Sequence, residues 1–337
     1  MKYCGSYHRL PQKSSVTILE KLKILMSPTA RNLLPHMALL TAMAFWGSTF
    51  VVLRIALTAL SPLQTMAGRM LVACIVFLPL WPRLWRELKE HGNLGTLTLM
   101  ALCEPCLFFL FETHALRMTT ASQAGMITSL LPLLVAAIAF AALREHAGLR
   151  MWLGFLLAVC GVTWLTLAAV PDEKAANPLL GNILEGIAMC CAAGYTVLAR
   201  HLSTVYSSLC ITAVQAFAGM IFFCLLALVI PGPDTLVSLG REFPAWVPWA
   251  CVFYLGGIVT FAGYGLYNFG VKRLSAGRAA AYTNLIPVFA LIFGLALLGE
   301  KLPPSQYGGA LLIVLGVLLS QWRGKSTSGT QAPHTAA

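Results

Sequence analysis

Within one long apolar run, the segment Cys103-Glu-Pro-Cys-Leu-Phe-Phe-Leu-Phe-Glu-Thr-His114 holds two glutamates, a proline and a histidine. An ionisable side chain in a membrane span costs about 2.5–3.5 kcal/mol on insertion scales and is a functional candidate by default. A carboxylate in such a place has two chemical uses: it binds a substrate amine, or it carries a proton. Glu104 falls about ten residues into the run, near its middle. Glu112, eight residues on, lies on nearly the same helix face at ~100° per residue. Pro105 lacks a backbone donor and clashes with the carbonyl of Ala101, so the helix is predicted to kink beside Glu104 and free a carbonyl for a polar site. The competing reading is a structural ion pair. Arg69 matches Glu112 in depth by the 1.5 Å rise per residue, so Glu112 on that reading pairs with Arg69 or Arg54. No basic residue has an obvious match to the depth of Glu104. Glu185 lies only a few residues into its run and reads as interfacial. His114, near the end of its run, reads as an interface histidine in preference to a proton relay.

Other polar and aromatic groups sit where apolar ones are expected. Trp46 and Tyr195 are mid-run and suit either stacking on a substrate or packing. Gln123, Ser122 and Thr128 stand in one run, and Tyr282, Thr283 and Asn284 at the equivalent place in another. They would either line a cavity or join helices by interhelical hydrogen bonds. The same choice applies to Tyr264, Tyr267 and Asn268. The substrate-binding candidates are Trp46, Glu104, Glu112, Gln123, Tyr195, Tyr267, Tyr282 and Asn284. Pro132 and Pro287 are expected to kink their helices. Glu145 and Glu300, beside Arg144 and Lys301, read as surface anchors or loop pairs and not as ligands. Cys103 and Cys106 form a CxxC pair, but no second cluster accompanies it, so no metal or cofactor is expected.

These residues need elements to position them, and the composition says which. The chain has 337 residues, 58% hydrophobic and 10% charged, against roughly 25% charged in an ordinary soluble domain. An all-α polytopic membrane protein in the lipid bilayer follows. Ten apolar runs, at 36–57, 62–81, 94–115, 121–143, 149–170, 180–200, 209–230, 246–270, 276–298 and 305–322, are each long enough for a ~30 Å hydrocarbon core. The ten cysteines lie mostly in these runs (Cys74, Cys160, Cys190, Cys191, Cys224) and read as small packing residues with reduced thiols. Residues 1–34 are polar and basic with no cleavable signal pattern, and Met26 is an alternative start. Residues 323–337 form a tail expected to be disordered.

The net charge of +11 would suggest nucleic acid in a soluble protein. Here the basic residues occupy the links between apolar runs, and no nucleic-acid motif is present. With the N-terminus inside, seventeen of the 23 basic residues fall on the cytoplasmic side, four (Arg117, Lys174, Arg241, Lys301) fall outside, and Arg54 and Arg69 lie within helices. This asymmetry predicts both termini in the cytoplasm.

The chain also repeats. A shift of 155 brings Pro132 onto Pro287, Glu145 onto Glu300, Gly154 onto Gly309 and Gly161 onto Gly316. Near the start, a shift of 146 brings Met43 onto Met189 and Arg54 onto Arg200. Five helices per repeat, at 35–170 and 178–322, is an odd number, so the two repeats run in opposite orientations. That is an architecture of alternating-access carriers, with the site near the midplane between the halves. The paired glycines favour close helix contact, within the chain or in a homodimer.

Ala44-Phe-Trp-Gly-Ser-Thr-Phe-Val51 opens the first repeat. Thr120-Ala-Ser-Gln-Ala-Gly-Met-Ile-Thr-Ser-Leu-Leu-Pro132 continues to Leu143-Arg-Glu145. Ser275-Ala-Gly-Arg-Ala-Ala-Ala-Tyr-Thr-Asn-Leu-Ile-Pro287 and Leu298-Gly-Glu-Lys301 answer them in the second. This pattern resembles the EamA-like branch of the drug/metabolite transporter superfamily over about residues 36–322. The resemblance implies an inner-membrane carrier, often an exporter of amino acids or other small metabolites. It also implies a central cavity lined by helices 1, 3, 4, 6, 8 and 9. The second repeat departs at Ala192-Ala-Gly-Tyr195, where the first has Phe45-Trp-Gly-Ser48, so a tryptophan role does not carry over there. An intramembrane enzyme is the rival from another class, but no HExxH or GxSxG is present, and no phosphate-binding GxxxxGK[ST] loop supplies an ATPase. A passive channel is the second rival, distinguished by conductance that does not saturate.

Overall fold

The computed structural model describes residues 28–143, 149–169, 175–230, 243–271, 282–301 and 303–321. Both tails, the alternative start at Met26, Arg144, Glu145 and the Ser275–Ala281 stretch lie outside the described residues. The described chain is all helix, without a strand. Helix α1 spans Pro28–Ala56 and α2 Pro62–Phe77. A tight turn at Leu78–Leu80 leads into α3, Trp81–His91. The next crossing is broken: α4 is Leu94–Ala101, a wide turn covers Leu102–Leu107, and α5 is Phe108–Ala115. Then come α6 at Ala121–Ile127, a tight turn at Thr128–Leu130, α7 at Leu131–Leu143 and α8 at Leu149–Leu167. Helices α9 (Pro178–Leu202) and α10 (Ser208–Val229) follow. A second broken crossing comprises α11 (Val247–Phe253), a wide stretch at Tyr254–Gly263 and α12 (Tyr264–Val271). Last are α13 (Ile286–Leu298) and α14 (Pro304–Gln321).

Among the described residues, seven helical segments are long and apolar enough to cross a membrane: 33–56, 62–91, 94–115, 121–138, 178–199, 208–229 and 247–267. Three shorter apolar helices accompany them. Large apolar side chains such as Leu71, Ile75, Leu156, Ile221, Ile292 and Leu311 point outward. Water would penalise so much exposed apolar surface, and lipid does not.

Local chemistry starts the helices. Ser61 caps α2 through a capping box, with Gln64 N–H donating to Ser61 Oγ at 3.2 Å and Ser61 N–H to Gln64 Oε1 at 3.0 Å. Thr120, Asn177 and Ser207 cap α6, α9 and α10, each side-chain oxygen accepting the N–H three residues on. The two prolines expected to kink their helices differ in placement. A tight turn precedes Pro132, and Pro287 stands in the first turn of α13.

Helix α1 is the central strut. It packs on α11, α12 and α13 from later in the chain and on α6. Its Met43, Phe50, Val51 and Leu53, with Leu57 just past its end, belong to the largest core cluster. At the periphery α8 crosses α14. A Cβ at Gly161 would come within 2.7 Å of the Gly309 carbonyl oxygen and of Ile313 N. The glycine stripes are thus used inside the chain, where two backbones meet without side chains between them. Gly161→Leu is expected to destabilise the protein by about 1–3 kcal/mol through overpacking. Gly265→Ala, which meets open space, should not. Thermal denaturation of both purified variants in detergent checks this.

Candidate functional site

The break in the α4–α5 crossing is the kink expected at Pro105. Glu104 leaves helical geometry at φ −145°, ψ 119°, and its peptide bond to Pro105 is cis. Backbone groups freed in an apolar surrounding need new partners. Gln215 on α10 supplies one, its Nε2 donating to the Glu104 carbonyl at 3.1 Å. Gly219, one turn along α10, leaves room for the Pro105 ring, which a Cβ there would meet at 2.7 Å. The buried Glu104 carboxylate accepts a 2.6 Å hydrogen bond from the Tyr264 hydroxyl, where the second broken crossing resumes as α12. That second break has its own polar marker: Thr260 Oγ1 donates to the Leu255 carbonyl, five residues back, at 2.9 Å.

Aromatic rings stand beside this group. Trp46 on α1 lies 5.2 Å from Tyr264 and 5.0 Å from Tyr267, centroid to centroid, within the range of favourable aromatic pairs. Tyr195 on α9 is within electrostatic reach of Glu104 and Tyr267. A small pocket of about 10 Å³, room for about one water, is lined in part by Glu104, Pro105, Phe109, Gln215, Thr260 and Tyr264. Of the expected substrate contacts, the structure therefore gathers Glu104, Trp46, Tyr195 and Tyr267.

Arg69 is the cation of this region. Its guanidinium stacks over the Phe109 ring at 4.1 Å, and Nε donates to Thr260 Oγ1 at 3.4 Å. It lies within electrostatic reach of both Glu104 and Glu112, which corrects the expectation that Glu104 has no cation near its depth. No ion pair within 4.0 Å joins Arg69 to Glu112. Among the described residues the ion pair is Arg54–Glu300, at 2.7 Å.

That pair overturns two expectations. Glu300 is not a surface anchor, and Arg54 is not a partner of Glu112. Glu300 is buried. Besides Arg54 it accepts Ala121 N–H at 2.9 Å, Ser122 N–H at 2.9 Å and Ser122 Oγ–H at 2.6 Å. A carboxylate at the start of α6 satisfies amides that have no partner within the helix. Glu145, its partner in the repeat, lies outside the described residues. A third correction concerns Glu185, read as interfacial, which is fully buried.

The remaining candidates sit elsewhere. Gln123 accepts from Asn182 Nδ2 at 2.9 Å and from Thr119 Oγ1 at 3.2 Å. Asn182 also accepts from Thr119 Oγ1 at 2.7 Å, so this buried network joins α6 to α9. Tyr282 pairs its hydroxyl with His36 Nδ1 at 2.6 Å, ten residues or about 15 Å along α1 from Trp46. Asn284 follows just before α13. The side chain of Asn268 lies outside the described residues. His114 donates Nδ1–H to the Leu110 carbonyl at 2.7 Å. Gln215 and Thr260 were not singled out from sequence. The signal that marked Gln123, a polar side chain inside an apolar run, applies equally to them.

The sequence profile of the EamA-like transporter family matches residues 33–167 and again residues 179–322. The chain belongs to the EamA-like transporter family. It is therefore a membrane transporter, consistent with the drug/metabolite transporter superfamily, and no enzyme family is indicated. A relative named "Uncharacterized transporter YetK", from Bacillus subtilis, is 27% identical over 85% of this chain and 86% of its own length. An "Uncharacterized transporter" of Archaeoglobus fulgidus is 28% identical over 87% of each. The S-adenosylmethionine/S-adenosylhomocysteine transporter of Chlamydia muridarum is 28% identical over 81% of this chain and 87% of its own. A solved crystal structure superposes with TM-score 0.55 over 85% of this chain and 96% of that one. At 18% identity that likeness concerns the EamA-like fold alone.

In this EamA-like chain the Arg54–Glu300 pair has a stability consequence. Arg54→Met leaves Glu300 buried without its cation and is expected to cost about 3–5 kcal/mol. Combining it with Glu300→Leu should recover part of that loss, because replacing both charges removes the desolvation cost. The remainder is the lost cap of α6. Comparing thermal midpoints of the single and double variants tests this.

Proposed function

We propose that the protein is a secondary carrier exporting a small metabolite, an amino acid or a related amine, across the bacterial inner membrane by alternating access. On this reading ten helices cross the membrane as two inverted five-helix repeats, residues 35–170 and 178–322. Both termini, with the basic extension 1–34 and the tail 323–337, are cytoplasmic. What carries the reading is one junction: Glu104 and Trp46 from the first repeat meet Tyr264, Tyr267 and Gln215 from the second, at a helix break between them.

The chemistry of that junction favours a cationic centre attached to an apolar or planar body. A carboxylate in a poorly solvated site attracts a positive charge strongly. Trp46, Tyr264 and Tyr267 offer ring faces that attract cations and cover apolar surface. An amine fits, and so does a sulfonium of the kind carried by S-adenosylmethionine, which the name of the Chlamydia muridarum relative makes a compound worth including. The pocket beside Glu104 is too small for such a molecule, so loading requires the halves to part. Proton coupling through Glu104 or Glu112 would power export.

Cells producing the protein would be challenged with inhibitory amino acids, analogues, amines and sulfonium compounds. Resistance with lower intracellular accumulation is expected for one cationic class. Glu104→Gln at equal abundance should lose about tenfold or more of that effect, the equivalent of one charge-assisted hydrogen bond. Undiminished resistance in Glu104→Gln would remove Glu104 from the substrate site, and import of the same class in proteoliposomes would reverse the direction.

A further inference from the structure

Glu185 has no role in the junction just described, yet it is among the most completely buried charged side chains, with 0% exposure. Its position relative to Glu112 follows from helix register. Helix α9 runs antiparallel against α5 and the wide turn before it. A Cβ at Gly181 would lie 3.0 Å from the Ala115 carbonyl oxygen, and one at Gly194 would lie 3.5 Å from Cys103 Sγ. Stepping forward four residues from Gly181, or back nine from Gly194, brings Glu185 opposite residues 111–112. The two carboxylates interact electrostatically. Glu112 is 2% exposed. Glu112 Oε2 and both oxygens of Glu185 have no hydrogen-bond partner.

The charges nearby do not balance as written. The elements around the pair bring Glu104 from the wide turn and Arg69 from α2, with Tyr264 already donating to Glu104. His114 on α5 is committed to a backbone carbonyl. The remaining titratable groups on these elements are Tyr195 on α9, within electrostatic reach of Glu104, Arg150 in the first turn of α8 and Arg200 and His201 in the last turn of α9, and thiols: Cys74, Cys103, Cys106, Cys190 and Cys191 on the packed crossings and Cys160 on α8. Three buried carboxylates thus share one buried guanidinium, itself with Nη1 unpartnered. Adjacent buried carboxylates do not both stay ionised, and an unpaired charge away from water is neutralised. A proton bridging the pair turns one carboxylate into a donor for the other, and answers the lack of partners at the same time.

We propose that Glu112 and Glu185, opposed across α5 and α9, form a proton-binding carboxylate pair distinct from the substrate group at Glu104. Its place in transport rests on the carrier reading above. Glu104 and the rings take the substrate cation, and the pair takes the coupled proton. Arg69, between Glu104 and Glu112, links the two sites electrostatically.

The test needs no substrate. Purified protein in lipid is followed by infrared spectroscopy in the carboxylic-acid carbonyl region while pH is stepped between about 5 and 9. The wild type should show a titrating acid band. Glu185→Gln should abolish it, Glu112→Gln should shift or abolish it, and Glu185→Asp should retain it at a shifted position. Glu104→Gln should leave a band in place. An unchanged band in folded, monodisperse Glu185→Gln would overturn the proposal. Loss of the band on adding sodium at fixed pH would overturn it too, by identifying the occupant as a metal cation. Export assays separate this result from the carrier reading. An intact band with no export of any compound sinks export and leaves the proton site. A band lost in Glu185→Gln with export and its pH dependence undiminished leaves the carrier and removes the pair from coupling.

Discussion

Hydrocarbon offers a polypeptide no hydrogen-bond partner, so each polar group within it must be answered by another part of the chain. The arrangement of this protein follows from how that demand is met. A helix meets it alone. Where Glu104 and Pro105 interrupt the helix, α10 must arrive with Gln215, and α12 with Tyr264. The second break, at Tyr254–Gly263, brings Thr260 under the guanidinium of Arg69. The two irregular crossings are therefore held against shared partners, and the polar groups they need converge on one region.

Much of this was legible before any coordinates. Apolar runs of the right length, a proline beside a glutamate, and a tryptophan and tyrosines at mid-run depth all mark places where the composition departs from what lipid tolerates. The kink at Pro105 is a local steric fact, so it needs no knowledge of the neighbours. Trp46 was singled out by its mid-run place and Tyr267 as a polar group inside another apolar run, and the fold puts them in contact.

What stayed hidden depends on which helix lies next to which. Glu300 follows a run's end beside a lysine, which looks like a surface. Its burial comes from the start of α6, about 180 residues away in sequence, whose free amides attract a carboxylate. Glu185 was placed by counting from the beginning of an apolar run, and that count measures depth without saying which face looks inward. Gln123 has the right depth and polarity for a cavity, but Asn182 and Thr119 occupy it. The equivalence between Gln123 and the Tyr282–Asn284 segment does not extend to their partners: Gln123 bonds to Asn182 and Thr119, and Tyr282 to His36.

The Arg54–Glu300–Ser122 junction joins the end of α1, the start of α6 and the segment after α13 in a place closed to solvent. Ions in the surrounding medium screen surface charges over about 10 Å or less at ordinary ionic strength, but reach buried ones far less. The strength of this junction is therefore little affected by the salinity of its surroundings. Any motion that separates these three segments has to break a buried ion pair that dissolved salt does little to weaken.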